Sequence, residues 1–232
     1  MVINAVLKYQ LQFWFILLIA VAGINQVQAD EDEFVISYVE HEGIIKYYVP
    51  LLKHAYKKIG IEPTFSLIND QRALRLLDNG IIDADTAKSL ETIDNYESIV
   101  YLPTPISRIE VFFICQQAVP CDRSILKNAD LSLAVIGANE FYTELLQDSK
   151  INLIELTSFQ VLFKVFDQKK VDAAVVVFDA YTKTKLKKYK NHYKIQEKLG
   201  YHLINKKHQA IVKPLEKAIS EVLSENNFVV PN

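Results

Sequence analysis

The chain has 232 residues, of which 50% are hydrophobic, and a formal net charge of −2 at pH 7. That length is sufficient to bury a sizeable core, in one large domain or two small ones. The slightly acidic balance gives no reason to expect nucleic acid or an anionic membrane as a partner.

The first 29 residues have the pattern of a secretory signal peptide. Lys8 precedes an apolar run over residues 13–24, and the tripeptide Val27-Gln28-Ala29 supplies small residues at the positions that a signal peptidase reads. We predict cleavage before residue 30 and a periplasmic mature protein. An uncleaved membrane anchor is the alternative, although the run is short for a span of about 20 residues.

The period of apolar residues then alternates between strand and helix. Strand patterns cover residues 34–39, 63–68 and 81–84, and helical patterns cover 44–59 and 72–77. Gly60 and Gly80 mark the helix ends, and Asn69 or Asp70 caps the second helix.

The same alternation continues through the rest of the chain. Strands are predicted at 109–115, 131–136, 151–156, 172–178 and 201–204, with helices around residues 145–146, 160–167 and 211–223. Thr157 or Ser158 caps the helix at 160, and Pro214 is tolerated near the first turn of the last helix. Alternating elements of this kind favour an α/β fold with mostly parallel sheets flanked by helices.

Two segments of the sequence are copies of one structural unit. QRALRLLDNGIIDA at residues 71–84 and QVLFKVFDQKKVDA at residues 160–173 align without a gap at an offset of 89. Each is an amphipathic helix followed by a strand that begins with Asp-Ala. The repeat predicts two similar lobes with a ligand cleft between them.

Cys115 and Cys121 are the only cysteines. In an exported chain their proximity favours a local disulfide. A zinc site is poorly supported because no histidines cluster near them, and the two-residue spacing of a redox motif is absent.

The order of these motifs resembles the bacterial extracellular solute-binding proteins of family 3, which serve amino-acid importers and related systems. The resemblance covers most of residues 34–222. It rests on FVISYVEHEGIIKYYVPLLKHAYKKIGIEPTF, DQRALRLLDNGIIDADTAKS, IVYLPTPI, TSFQVLFKVFDQKKVDAAVV and YHLINKKHQAIVKPLEKAI.

The resemblance implies a two-lobed periplasmic-binding-protein-like fold. Residues 30–111 would start lobe 1, residues 112–196 would form lobe 2, and residues 197–232 would return to lobe 1. It also implies a monomer that captures a small polar solute, an amino acid or related small carboxylate, for the membrane permease of an ABC transporter. We expect no cofactor, no metal and no nucleic-acid partner.

Ligands of such folds bind at the carboxyl ends of the strands, where helix N-termini also converge. The predicted ligand-binding residues are therefore Tyr38, Glu40, His41, Arg72, Thr86, Lys88, Asn139, Ser158 and Asp179.

Two of these positions depart from the family pattern. The family's amino-acid binders hold the ligand carboxylate with an arginine after the third strand, where Lys88 is the nearest cation here; lysine lacks the bidentate fork of arginine. They hold the ligand amine with an aspartate that falls on Val177, two residues before Asp179 on the same side of a strand. Asp179 could equally cap the next helix.

Structural roles compete with several of the predictions. Arg72 could form a surface ion pair, His41 could be an ordinary loop histidine, and Arg108 could pair with a carboxylate such as Glu110 at the crossover. We interpret the basic run at 183–194 as a solvated outer face.

An enzyme is the main alternative class of function, but the sequence contains no nucleophile elbow, zinc-protease helix or phosphate loop, and no catalytic residues are predicted. Asp83 and Asp172 are a tempting carboxylate pair, but as repeat equivalents we assign them structural roles in separate lobes. A sensing or protein-docking module without transport shares every residue-level feature.

Overall fold

The computed structural model describes residues 33–136 and 142–225. The chain divides after Glu33, and every helix and strand described below belongs to the unit Phe34–Asn232. The predicted signal peptide, residues 1–29, and the predicted site residue Asn139 lie outside the described residues. None of the described helices combines the length and apolarity that a bilayer crossing needs.

Nine strands form the framework of the described residues. They are β1 (Val35–Tyr38), β2 (Thr64–Leu67), β3 (Ala84–Lys88), β4 (Ile99–Tyr101), β5 (Ser107–Cys115), β6 (Ser132–Ile136), β7 (Asn152–Leu156), β8 (Ala173–Asp179) and β9 (His192–Asn205).

The α-helices cover these strands. They are α1 (Val49–Lys58), which continues a π-helical turn at Ile44–Tyr48, α2 (Asp70–Asp78), α3 (Thr143–Leu146), α4 (Phe159–Asp167) and α5 (Val212–Glu225). Short 3₁₀ segments lie at Leu90–Thr92, Arg123–Lys127, Lys183–Lys188 and Lys206–Ile211.

Each lobe contains the same parallel unit. In lobe 1, β1 pairs in parallel with β2 and β3, and in lobe 2, β6 pairs in parallel with β7 and β8. Antiparallel strands complete both sheets: β9 lies between β3 and β4 in lobe 1, and β5 lies between β8 and β9 in lobe 2. The molecule therefore has the predicted two-lobed α/β fold.

Only β5 and β9 carry sheet pairing from one lobe to the other within the described part of the chain. They are antiparallel and pair Ser107 with Gly200 where they leave lobe 1. The predicted lobe boundaries fall on a second pair along these strands, Val111 with Gln196.

The repeated segments use equivalent helix ends. The side chains of Asn69 and Ser158, 89 residues apart, cap α2 and α4 by accepting a backbone N–H three residues later. Both helices end on a left-handed residue, Gly80 with φ 69° and Lys169 with φ 56°. Lysine holds this conformation with more strain than glycine, so the second copy departs from the residue preferred at a helix C-terminus.

The repeated aspartates tie together the starts of neighbouring strands. Asp83 accepts the backbone N–H of Val35 at 2.7 Å, and Asp172 accepts the backbone N–H of Ser132 at 2.8 Å. Val35 begins β1 and Ser132 begins β6, so the two carboxylates perform the same structural task in their own lobes.

Both sheets bury apolar side chains on their two faces. In lobe 1, α1 contributes Leu51 and Tyr56, and α5 contributes Leu215 and Ile219, to one core cluster. In lobe 2, alternate residues of β5, Phe112 and Phe113, enter different clusters on opposite faces. Each such fully buried side chain contributes about 1.5–3 kcal/mol relative to exposure.

Three strands differ from the predictions made from the sequence, and one of them, β4, was not predicted. The strand predicted at 201–204 is the end of β9, which starts at His192. Its first half is polar because it is the edge strand of the lobe 2 sheet, whereas its second half is central in lobe 1. The strand predicted at 81–84 instead begins at Ala84, because the backbone N–H of Ile81 still bonds to Leu76 at the end of α2.

Cys115 and Cys121 form the predicted disulfide, with their Cα atoms 5.8 Å apart. Cys115 ends β5, so the bond fastens the following turn to the strand.

Candidate functional site

A cleft of about 550 Å³ lies between the lobes. Its walls come from the carboxyl ends of the parallel strands of both lobes and from the crossing strands. The lining residues are Val39, Glu40, His41, Ile44, Tyr48, Leu67, Ile68, Asn69, Ala87, Lys88, Ser89, Thr92, Ser107, Ile109, Ile136, Tyr142, Leu156, Thr157, Ser158, Phe159, Val177, Asp179 and Gly200.

Lys88 lies at the lobe 1 wall as half of a buried ion pair. Its Nζ is 2.8 Å from Oδ1 of Asp85, and the two side chains are 9% and 0% exposed. The other oxygen of Asp85 accepts a hydrogen bond from the Ser37 hydroxyl at 2.6 Å. The protein therefore supplies its own counter-charge to Lys88, the one lysine among the described residues that line the cleft.

Asp179 ends β8 on the opposite wall and is 2% exposed. Its Oδ1 accepts three hydrogen bonds, from the backbone N–H groups of Tyr181 and Thr182 and from the Thr182 hydroxyl, at 3.0, 2.8 and 2.7 Å. Its Oδ2 is buried against Gly43 and has no described cation beside it, and the neutral Tyr48 phenol lies close enough to the carboxylate to interact with it. One oxygen thus caps the turn after β8, and the other has no such structural task.

The loop after β1 reaches across the cleft to lobe 2. Nε2 of His41 lies 3.4 Å from the carbonyl oxygen of Val177, and its ring meets the edge of Phe159 with centroids 5.4 Å apart. Burial lowers the pKa of His41, more than the nearby Asp179 carboxylate raises it, so the neutral imidazole is favoured. Beside it, Glu42 forms an ion pair with Lys185.

Aromatic contacts reinforce this bridge. Tyr47 of lobe 1 stacks on Tyr181 of lobe 2 with ring centroids 3.6 Å apart. Tyr48 is buried beside the same segment, and burial together with the Asp179 carboxylate raises the pKa of its phenol. The two lobes are therefore in contact around the cleft, in a closed arrangement.

Two glycines permit close approaches in this arrangement. A Cβ on Gly43 would lie 1.7 Å from Oδ2 of Asp179, and a Cβ on Gly200 would lie 2.1 Å from the Ser107 hydroxyl oxygen. The first contact joins the two lobes and the second joins the crossing strands. Side chains at these positions would obstruct closure and strand pairing, respectively.

Two helix N-termini also face the cleft. Asn69 and Ser158, the N-caps of α2 and α4, both line it. Backbone N–H groups at such ends carry partial positive charge and favour a hydrogen-bond acceptor or an anionic group on a ligand.

The structure brings five predicted site residues together: Glu40, His41, Lys88, Ser158 and Asp179 all line the cleft. Three others do not line it. Tyr38 pairs with Leu67 in the sheet, Thr86 is buried with its hydroxyl donating to the Ser37 carbonyl at 2.7 Å, and Arg72 is exposed in the first turn of α2.

Several cleft residues were not predicted from the sequence. The apolar lining, including Phe159 and Tyr142, follows helix and strand patterns that signal only packing. The sequence around Gly43 and Gly200 gives no sign of their importance. It arises from contacts with Asp179 and Ser107, which lie far away along the chain.

The remaining charged candidates form pairs away from the cleft lining. Arg108 contacts Glu197 at 2.6 Å, and Glu110 pairs with Lys183 and Lys194. Within the ranges that the structure describes, no group of three potential metal ligands occurs.

Two equivalent strand edges that face one cleft, joined by two crossing strands, define the fold of two-lobed solute-binding proteins. Comparison with solved structures supports this. The arginine-bound form of a truncated ArgBP from T. maritima has a TM-score of 0.64 at 13% identity, covering 82% of this chain and 96% of that one.

Two further structures extend the comparison. The GluR0 ligand-binding core from Nostoc punctiforme, in complex with L-glutamate, has a TM-score of 0.65 at 14% identity and covers 84% of this chain and 94% of its own. An ancestral amino acid-binding protein, a precursor of cyclohexadienyl dehydratase, has a TM-score of 0.66 at 13% identity and covers 84% and 90%.

No protein-family model and no curated protein matches the sequence. The structural similarity therefore shows the fold, which is the one that the resemblance to family 3 solute-binding proteins implies.

Proposed function

We propose that this protein is an exported solute-binding protein that captures a small polar solute between its lobes and delivers it to the membrane permease of an importer. The observation that carries the proposal is the cleft of about 550 Å³ between two equivalent strand edges. A cavity of that size suits a solute of amino-acid dimensions. Residues 1–29 would direct export to the periplasm and be removed.

The closed contacts support a binding cycle. Because β5 and β9 are the sheet strands that link the lobes, opening would separate the loop after β1 from the end of β8 while each sheet stays intact. A ligand that contacts both walls stabilises the closed state through its preference for that state.

We infer that the protein acts without turnover. Amino-acid-binding proteins dominate the structural neighbours, and the Lys88 ammonium at the cleft wall is held in an ion pair with Asp85. One neighbour is a precursor of a dehydratase, so product analysis by mass spectrometry belongs in the test of function.

Ligand binding should be tested by native mass spectrometry of the purified mature protein and by a thermal-shift screen of amino acids, carboxylates, amines and oligopeptides. A solute present at one hundred times its Kd should add about 2.7 kcal/mol to the free energy of unfolding. A solute that is converted to product would contradict the non-enzymatic role.

A variant that blocks closure sharpens the test. Gly43 has φ −62°, a conformation that alanine adopts readily. In Gly43→Ala, however, the new Cβ would collide with Asp179 across the cleft. We expect a folded protein with solute affinity weakened roughly tenfold or more, since overpacking of this size costs about 1–3 kcal/mol. Lys53→Ala, an exposed change on α1, is the control and should bind normally. Unchanged affinity in Gly43→Ala would argue against closure around the solute.

Uptake can be distinguished from sensing or protein docking by co-purification. If the protein serves uptake, membrane permease subunits should co-purify with the solute-loaded protein. A docking module would instead retain a protein partner while no small solute shifts its melting temperature.

A further inference from the structure

The charge balance of the cleft narrows the chemistry of its solute, given the solute-binding function proposed above. Asp179 is 2% exposed and lines the cleft, and its carboxylate has only neutral donors around it: the Tyr181 and Thr182 groups at Oδ1 and the Tyr48 phenol nearby. Burying a carboxylate without a counter-charge is unfavourable, because neutral hydrogen bonds replace only part of the lost hydration. The closed cleft is therefore short of one positive charge beside Asp179.

The neighbouring cations have carboxylate partners of their own. Lys88 lies 2.8 Å from Asp85, and Lys185 pairs with Glu42 at the bridge between the lobes. The third candidate, His41, is favoured in its neutral form by burial. These side chains leave the charge of Asp179 for a ligand to balance.

A ligand carboxylate would find the opposite situation. Lys88, the single lysine among the described lining residues, is already neutralised by Asp85, and Glu40 adds a further negative charge at the exposed part of the cleft. The N-termini of α2 and α4 provide N–H donors with only partial positive charge, and a hydroxyl or carbonyl oxygen also satisfies them.

The rest of the lining is mostly apolar. Leu67 and Ile68 of lobe 1, Ile109 of the crossing strand, and Leu156 and Phe159 of lobe 2 provide surfaces for a hydrocarbon or aromatic body. Such a body gains affinity by leaving water, whereas a second charged group would have to be desolvated there.

From this arrangement we propose that the solute is an organic amine: a cation that pairs with Asp179, with an apolar body and no carboxylate. The absence of the carboxylate separates this solute class from the amino acids.

The experiment compares two pairs of compounds that differ only in the carboxylate: phenethylamine with L-phenylalanine, and isoamylamine with L-leucine. Affinities are measured by isothermal titration calorimetry at neutral pH. We expect at least one amine to bind roughly 10- to 100-fold more tightly than its amino acid, because the added carboxylate must be desolvated without a cationic partner.

Asp179→Asn isolates the charge. Asparagine keeps an oxygen for the Tyr181 and Thr182 donors, so the turn after β8 is retained, and circular dichroism checks the fold. This variant should lose the same 10- to 100-fold in amine affinity. The matched control is Asp167→Asn, which removes an exposed carboxylate of lobe 2 that pairs with Lys188, and it should leave binding unchanged. The comparison of each amine with its amino acid also tests the proposal in the wild-type protein, without any substitution.

The amine proposal would be overturned if an amino acid, a simple carboxylate or a neutral solute bound more tightly than the amines and kept its affinity in Asp179→Asn. That result would still support the solute-binding function. If no solute of any class binds, both proposals fail.

Discussion

Acidification should destabilise lobe 1 through a single buried histidine. His202 on β9 is fully buried. Its Nδ1 lies 3.2 Å from the Thr86 carbonyl oxygen, which can only accept, so Nδ1 carries the proton and donates. Its Nε2 then accepts from the Tyr56 hydroxyl at 2.8 Å. Burial lowers the pKa of His202 from 6.5 to about 4.

The sign and size of the effect follow from linkage. In the unfolded chain the imidazole takes up a proton near pH 6.5, whereas in the folded protein it stays neutral until about pH 4. The stability that His202 contributes is therefore fully present above pH 6.5 and is lost as the pH falls from 6.5 to 4. The loss is about 1.4 kcal/mol per pH unit within that window, or roughly 3 kcal/mol in total.

Urea unfolding at several pH values between 7.5 and 4.5, followed by circular dichroism, measures this slope. His202→Gln should be less stable than the wild type at pH 7.5 by about 1–3 kcal/mol, since one buried partner loses its hydrogen bond. Its stability should nevertheless fall less steeply with acidification. His54→Gln, at an exposed position on α1, is the control and should keep the wild-type slope. Parallel pH profiles for wild type and His202→Gln would refute the reasoning.

Three further predictions concern the repeat and the crossing strands. Lys169→Gly should raise the free energy of unfolding by about 0.5–1 kcal/mol by relieving the left-handed backbone, whereas Lys170→Gly should lower it, as urea titration would show. Gly200→Ala should cost roughly 1–3 kcal/mol through its clash with the Ser107 hydroxyl, and adding Ser107→Ala should recover most of the loss; a purely additive double mutant would contradict the clash. Asp172→Ala should cost about 1–3 kcal/mol by removing the hydrogen bonds at the start of β6, measured in the same way, and a neutral effect would contradict its structural role.

Local patterns were sufficient to predict the fold. The repeat at an offset of 89 residues could be recognised in the sequence because it depends on short-range structure. The helix caps bond to groups a few residues away, and the repeated aspartates bond to the starts of neighbouring strands. The apolar period located the helices α1, α2, α4 and α5 for the same reason. The polar half of β9 was missed because an edge strand lacks the apolar pattern of a central one.

The site was less accessible from the sequence, because its contacts depend on geometry between distant residues. Asp85 and Lys88 would lie on opposite faces of a regular strand, but the pairing of β3 with β9 shifts register between them. Such an irregularity redirects side chains, and the resulting ion pair changes the charge available to a ligand. The stacking of Tyr47 on Tyr181 likewise requires the lobes to be assembled first.

The two lobes also differ in when synthesis can complete them. Lobe 2 is built from one uninterrupted stretch between the crossing strands, apart from its edge strand β9. Lobe 1 needs α5, whose Leu215 and Ile219 pack with Leu51 and Tyr56 from near the start of the chain. The first-made half of lobe 1 therefore lacks its apolar covering until almost the whole chain has emerged, and it cannot reach its final fold early. Such a delay suits the proposed export, in which the chain crosses a membrane before it folds.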